Sequence, residues 1–429
     1  MSSDRFMVNR RNLQIDESNY WLHNHNSSTL INDYFERTPV TKQDIHYTGK
    51  LHYLKSLRQI LNINENRPLL PFNSSGCNSQ NEEIKSHWPV NPRTKPMVKP
   101  QKAVLDLPGI KNNIQYNVVH WSSNDYIVAA LRQNIYLWHV PTSIIAHNLS
   151  NICPISALRL DRLGNRMAYA QKTILFGKLI MWDVKKAKEV CSIRGPCDHE
   201  CFISCIDWHH SNAYLVISCK MGNLALLTPD LKIITLRKKA HGLYAIIRVK
   251  FSPHGNYLAS SGEDAKINIW TVPQLQIIHQ HCEVYMSRGI SWHPWRSSYL
   301  CYGTFGGKIA LMNTSLGKNL YESEDHNTII YDLSFNRTTA ELVTSHAVIE
   351  SYHNYRYTSQ INVLARINRT VDRFIGHTGR ILYLEWSPDD TTLASAGTDE
   401  TIYLWKFMEN ATKQLKHKKL DFFNFDVLI

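Results

Sequence analysis

SPHGNYLASSGEDAKINIW, residues Ser252–Trp270, and SPDDTTLASAGTDETIYLW, residues Ser387–Trp405, decide the fold of this 429-residue chain. The two stretches align without a gap. They share the opening Ser-Pro (Ser252/Ser387, Pro253/Pro388), Leu258/Leu393, Ala259/Ala394, Ser260/Ser395, Gly262/Gly397, Asp264/Asp399, Ile267/Ile402 and the closing Trp270/Trp405. The tryptophans lie 135 residues apart, three times 45, so two further units of the same kind fit between them.

Working outward, an apolar residue precedes a turn at Trp121, Leu160, Trp208, Phe251, Trp292, Phe335 and Trp386. The intervals are 39, 48, 43, 41, 43 and 51 residues. A period of about 40–45 residues is that of a WD-repeat blade, a four-stranded antiparallel sheet. Seven anchors predict an all-β, seven-bladed WD-repeat propeller. The sixth unit is the most degenerate, lacking its closing tryptophan and polar from Tyr352 to Asn362. His241 precedes Asp264 by 23 residues and His377 precedes Asp399 by 22. Their place on the repeat reads as structural pairing of polar groups that burial would otherwise make costly, not as catalysis or metal binding. Ala103-Val104-Leu105-Asp106-Leu107 is a strand-like run just before the first blade. It is expected to complete the last blade beside Ile402–Trp405, removing the open sheet edges.

The rest of the chain has a different texture. Residues 1–102 are polar, rich in Asn, and end in Pro92, Pro96 and Pro100. Such a segment buries too little apolar surface to offset its ordering entropy, so a largely disordered N-terminal arm with a stiff linker is expected. Lys50–Leu61, with Leu51, Leu54 and Leu61 near helical spacing, reads as one short amphipathic helix. The propeller is expected over 103–407 and a short tail over 408–429. Apolar residues are 43 % and charged residues 20 %, as in a soluble globular protein. No apolar run is long enough for a membrane helix, and the charged start MSSDRFMVNRR lacks the core of a secretory signal. The expected location is the cytoplasm or nucleus. The net charge of +12 permits an acidic partner. Much of the excess sits in Lys95, Lys99, Lys102 and the tail Lys413, Lys416, Lys418 and Lys419, which reads as solvated linker and tail.

No phosphate loop, nucleophile elbow or His-Glu-x-x-His motif occurs. Gly303–Gly307 falls in a hairpin, not before a helix. Neither a catalytic residue nor a cofactor is therefore expected. Among nine cysteines, Cys191, Cys197, Cys201 and Cys205 cluster around His199. Their gaps do not suit a zinc site, which brings two close ligand pairs together, so buried free thiols are expected and no metal is assigned.

Two segments are more specific. Leu105-Asp106-Leu107-Pro108-Gly109-Ile110, with Asn117–Trp121 and Ile135–Trp138, and the terminal Asp4-Arg5-Phe6-Met7-Val8-Asn9-Arg10, resemble the Fizzy family. These are WD-repeat activators that bring substrates to the anaphase-promoting complex. The meiotic cortex branch is the most similar. The resemblance covers roughly residues 103–407 and is strengthened by the segments GHTGR and AGTDETIYLW.

That resemblance implies a non-catalytic substrate-recognition co-activator of a ubiquitin ligase. Its partners would be anaphase-promoting complex subunits and destruction-box substrates such as cyclins, in meiosis or mitosis. No membrane or nucleic-acid partner is implied, and the chain would be monomeric outside the complex. Asp4, Arg5, Phe6, Met7 and Arg10 would form the ligase-docking C-box, with Met7 and Val8 replacing the family's Ile and Pro. The family's terminal Ile-Arg is absent from Asp426–Ile429, so no tail contact is assigned. Asp106 and Glu400 would hold the arginine of a destruction box, Arg-x-x-Leu, between the first and last blades. Arg380 and Tyr136 would contact a Lys-Glu-Asn motif, a site that Glu263 would weaken by repelling the peptide's Glu. The competing reading is a generic WD-repeat scaffold for nucleic acid or another acidic partner, which predicts steeply salt-dependent binding.

Overall fold

The computed structural model describes residues 99–407 apart from 111, 198–199, 324–327, 352–355 and 368. The C-box-like heptad, the Lys50–Leu61 segment, His199 and the tail after residue 407 lie outside the described residues. The described chain is all strand and turn, arranged as seven four-stranded antiparallel sheets. The first strands of the blades are Val119–Trp121, Ile155–Leu160, Ile203–Trp208, Ile246–Phe251, Ser287–Trp292, Ile329–Phe335 and Ile381–Trp386. Each anchor residue named from the sequence is the last residue of one of these strands. Neighbouring first strands contact each other around the ring, and that of blade 1 touches those of both blade 2 and blade 7. The seven-bladed propeller is therefore closed.

Burial explains the residue choice. The first strands face neighbours on both sides: every residue of Ile203–Trp208 is buried. Val, Ile, Leu and Trp suit such positions. The outer strands alternate or lie open, as in Ile277–Cys282. Blade 6 departs from the others through a long hairpin, Leu342–Ser351 against Arg356–Arg366. Most of the polar run that makes its repeat degenerate is thus strand.

Closure follows the expected pairing. Lys99–Asp106 lies antiparallel to Thr401–Lys406, with Ala103 opposite Leu404, Val104 opposite Tyr403, Leu105 opposite Ile402 and Asp106 opposite Thr401. The strand starts before residue 103 and takes in Pro100, which the sequence reading had placed in the linker. Edge strands tolerate proline because only one side of the strand must donate to a ladder.

The His–Asp pairs sit at the blade tops. In blade 4, His241 Nδ1–H donates to Asp264 (2.9 Å), Ser260 O–H donates to His241 Nε2 (2.8 Å), and Trp270 Nε1–H donates to Ser260 Oγ (2.8 Å). Blade 7 repeats this relay through His377, Asp399, Ser395 and Trp405 at 2.9, 2.8 and 2.9 Å. The carboxylate fixes the tautomer, because it accepts at Nδ1 and leaves Nε2 to accept from the serine. These clasps tie the loop entering a blade to the turn between its second and third strands. Gly262 and Gly397 make room for them. A Cβ on Gly262 would lie 2.5 Å from both His241 and Asp264, and one on Gly397 2.6 Å from Asp399 and 2.7 Å from His377.

Candidate functional site: the seam between the first and last blades

The closing strand brings Asp106 and Glu400 to one edge, although 294 positions separate them in the chain. Asp106 faces Thr401 across the ladder, next to Glu400. Leu107 N–H donates to the Glu400 carbonyl at 2.6 Å, which makes Leu107 and Glu400 a hydrogen-bonded pair. By the alternation of antiparallel ladders, Asp106 and Thr401 form a close, non-hydrogen-bonded pair. Both acidic side chains are exposed. Glu400 occupies the turn after Asp399 with φ of 60°. Its carboxylate accepts from the Gly109 N–H at 3.0 Å, so one oxygen is positioned by the backbone. Gly109 itself has φ of +77°, a left-handed conformation that favours glycine at this bend.

Beside the acids runs an apolar seam. Leu107 and Ile110 from the entering segment, Ala129 and Ile135 from blade 1, and Ala396 and Ile402 from blade 7 belong to one buried cluster. Leu105 and Leu131 pack on it while partly exposed. The sequence reading missed Arg132. It lies in the blade 1 hairpin, and a Cβ on Gly109 would lie 2.9 Å from its Nε. A cation therefore packs against the glycine whose amide holds Glu400. Only the packing of Gly109 against that hairpin reveals it.

On the top face, Arg380 and Tyr136 do not share a contact. Arg380 donates to Tyr331 Oη at 3.3 Å and to the Asn112 side chain, with its guanidinium 5.5 Å from the Tyr331 ring centre. Tyr136 Oη instead receives Asn134 Nδ2–H within blade 1, at 3.5 Å. Glu263 is engaged too, accepting from Gln115 Nε2 at 2.6 Å. The segment carrying Asn112 and Gln115 crosses the top of the ring. It is held by Arg288 Nε–H to the Ile114 carbonyl (2.9 Å) and Tyr383 O–H to the Tyr116 carbonyl (2.8 Å). Sequence reasoning missed this crossing because irregular chain has no periodicity to read.

A cavity of about 520 Å³ opens along the axis near the ends of the first strands. Those ends are opposite the turns that carry Glu263 and Glu400. Several of its charges pair across it: Arg159 with Glu385 (2.8 Å) and Asp207 (3.5 Å), and Arg248 with Asp332 (2.6 Å). Burial and then the nearby Arg159 pull the Lys250 ammonium down to about 8. This ring of paired charges holds the first strands together around the axis.

The cysteine cluster assembles differently from its sequence order. Cys197 and Cys201 converge with Cys219, which the sequence reading had not grouped with them. Cys205 instead lies against Asn117 Nδ2 at 2.9 Å, and Cys191 sits on an outer strand.

Comparison with known proteins agrees with the architecture. The family model for the WD domain, G-beta repeat, matches residues 233–271 and 368–406. Among curated proteins, the chain is 29 % identical to "Protein cortex" of Heliconius melpomene over 360 residues, covering 77 % of this chain and 76 % of that one. It is 25 % identical to "Cell division cycle 20.5, cofactor of APC complex" of Arabidopsis thaliana, covering 96 % and 89 %. Among solved structures, a chain of the "Crystal Structure of Mitotic Checkpoint Complex" superposes with a TM-score of 0.62 at 18 % identity, covering 74 % of this chain and 98 % of that chain. That likeness speaks for the fold. The chain is a seven-bladed propeller carrying WD repeats, similar in sequence to proteins named as cofactors of the APC complex and to proteins named cortex.

Proposed function

We propose that this chain is a non-catalytic adaptor of the anaphase-promoting complex. It would bind destruction-box segments at the seam between blades 1 and 7 and dock on the ligase through Asp4, Arg5, Phe6, Met7 and Arg10. The observation that carries the reading is the pairing of Lys99–Asp106 with Thr401–Lys406, which puts Asp106 beside Glu400. Two carboxylates facing one guanidinium supply charge-assisted hydrogen bonds worth about 1.5–3 kcal/mol each. The apolar seam next to them suits the leucine of Arg-x-x-Leu. Binding at one such seam would be weak, and simultaneous contact of ligase and substrate would raise it by effective concentration. The names of the relatives, cofactors of the same complex, support the partner.

The Lys-Glu-Asn site is supported less. Arg380 already holds Asn112, and Glu263 already holds Gln115. A peptide there would have to displace the crossing segment.

Affinity capture of the full-length chain from dividing cells tests the docking half. Wild type should bring down ligase subunits, and Arg5→Ala with Phe6→Ala should not. Equal recovery with both proteins would dismiss the N-terminal anchor.

A further inference from the structure

Blade 3 lacks the His–Asp clasp of blades 4 and 7, and what stands in its place is sulfur. The register makes the correspondence definite. In blade 4 the first residue of the first strand, Ile246, pairs with Gly262, and in blade 7 Ile381 pairs with Gly397. In blade 3 the same pairing is Ile203 with Cys219. The two glycines are the positions where a Cβ would strike the His–Asp pair. Cys219 therefore projects its sulfur into the space that the clasp fills elsewhere. The Asp position itself is taken by Met221, two residues beyond Cys219 as Asp264 is two beyond Gly262.

The loop entering blade 3 answers with two more thiols. Cys197, Cys201 and Cys219 are each at most 8 % exposed. Their sulfurs all lie within 4.8 Å of one another, and those of Cys197 and Cys219 are 3.2 Å apart. Hydrogen-bond donors are aimed at this cluster. Asn223 Nδ2–H points to Cys197 Sγ at 3.0 Å, and Asn223 N–H to Cys219 Sγ at 3.4 Å. Amide donors to sulfur stabilise thiolates, and such outer contacts orient metal-bound cysteines.

The geometry points to a metal site: Cys197, Cys201 and Cys219 bind one thiophilic closed-shell cation, Zn²⁺ or Cu⁺, which fastens the blade 3 loop to its turn where blades 4 and 7 use His–Asp. Thiolate sulfur selects these ions over Mg²⁺ or Ca²⁺. With metal–sulfur bonds of about 2.3 Å, tetrahedral ligands stand about 3.8 Å apart, so the trio needs sulfur shifts of only about half an ångström. Three cysteines leave a tetrahedral ion one position for a further donor and satisfy a trigonal one completely. Binding releases the thiol protons to solvent, and no electron is transferred. The inference rests on the blade 3 register and not on the adaptor reading.

The full-length protein, kept under thiol-free reductant, is loaded separately with Zn²⁺ and with Cu⁺ under anaerobic conditions, then desalted. Metal content and melting temperature are measured. Wild type and Cys282→Ser, which alters an exposed cysteine on another blade, should retain one equivalent of one of the two ions and melt higher with it. The retained ion identifies the source. Cys219→Gly, which restores the residue of blades 4 and 7, and Cys201→Ser should lose the metal and the thermal shift. The melting curve without metal shows whether each variant folds. Wild type that stays metal-free with both ions, or Cys219→Gly and Cys201→Ser that retain a full equivalent, would overturn the site. So would a Cys197–Cys219 disulfide that persists in the reduced, metal-treated protein.

Discussion

Ser395 shows how one small side chain governs a blade. It accepts from Trp405 and donates to His377, so Ser395→Ala strands two buried polar groups. Leaving buried partners unsatisfied costs about 1–3 kcal/mol, and urea unfolding of the variant should show a loss of that size. Asp399 adds a pH dependence. Burial pushes its carboxyl up, but the hydrogen bond and charge of His377, with the Thr401 and Thr378 contacts, outweigh burial and hold it at about 2. A carboxyl with a lower value in the folded than in the unfolded chain stabilises the fold above its unfolded value, near 3.8. That contribution fades as pH falls toward about 2. Asp399→Asn should therefore flatten the stability curve in this window relative to wild type, as acid titration followed by fluorescence would record. At this scale the sequence was informative wherever a residue repeated: the His–Asp pairs were readable from their spacing alone. Cys219 was not, because its meaning depends on the strand register that places it where other blades have glycine.

The element on which the ring depends is the strand Lys99–Asp106. Leu107 and Glu400 are a hydrogen-bonded pair, so Leu105 and Ile402, two positions along, are another. Leu105→Pro removes a ladder donor and should destabilise the protein by at least about 1–3 kcal/mol. Limited proteolysis should then cut faster at blade 7. Val104 occupies the alternate position on the same edge strand, where its amide faces away from the ladder. Val104→Pro should leave proteolysis close to wild type, and equal damage from both prolines would refute the register. The sequence conveyed this element well, since alternation and the position before the first blade both marked it. The same holds for the seven anchors, each of which ends a first strand. The crossing segment that holds Asn112 and Gln115 carried no such pattern, so the contact of Gln115 with Glu263 was not legible in the sequence.

For the whole molecule, closure of the ring does more than remove open edges. It converts two acids remote in sequence into neighbours on one seam, and it packs Arg132 against Gly109, whose amide holds Glu400. Arg132→Ala should therefore strengthen the attraction of the seam for a cationic peptide, by an amount that shrinks as salt rises. The axial charges, paired among themselves, act as scaffold and leave the seam as the outward-facing acidic feature of the blade 1–blade 7 junction. The acidic pair could be named from the sequence only through family resemblance. The Gly109 amide that positions Glu400, and the arginine packed against Gly109, required the folded ring.

The most direct test is calorimetric titration of a destruction-box peptide containing Arg-x-x-Leu into the full-length chain, compared with the double variant Asp106→Lys, Glu400→Lys. Wild type should bind, and the double variant, with an unchanged melting temperature, should not. Equal affinity for both proteins would contradict the claim that the closed seam reads the peptide's arginine.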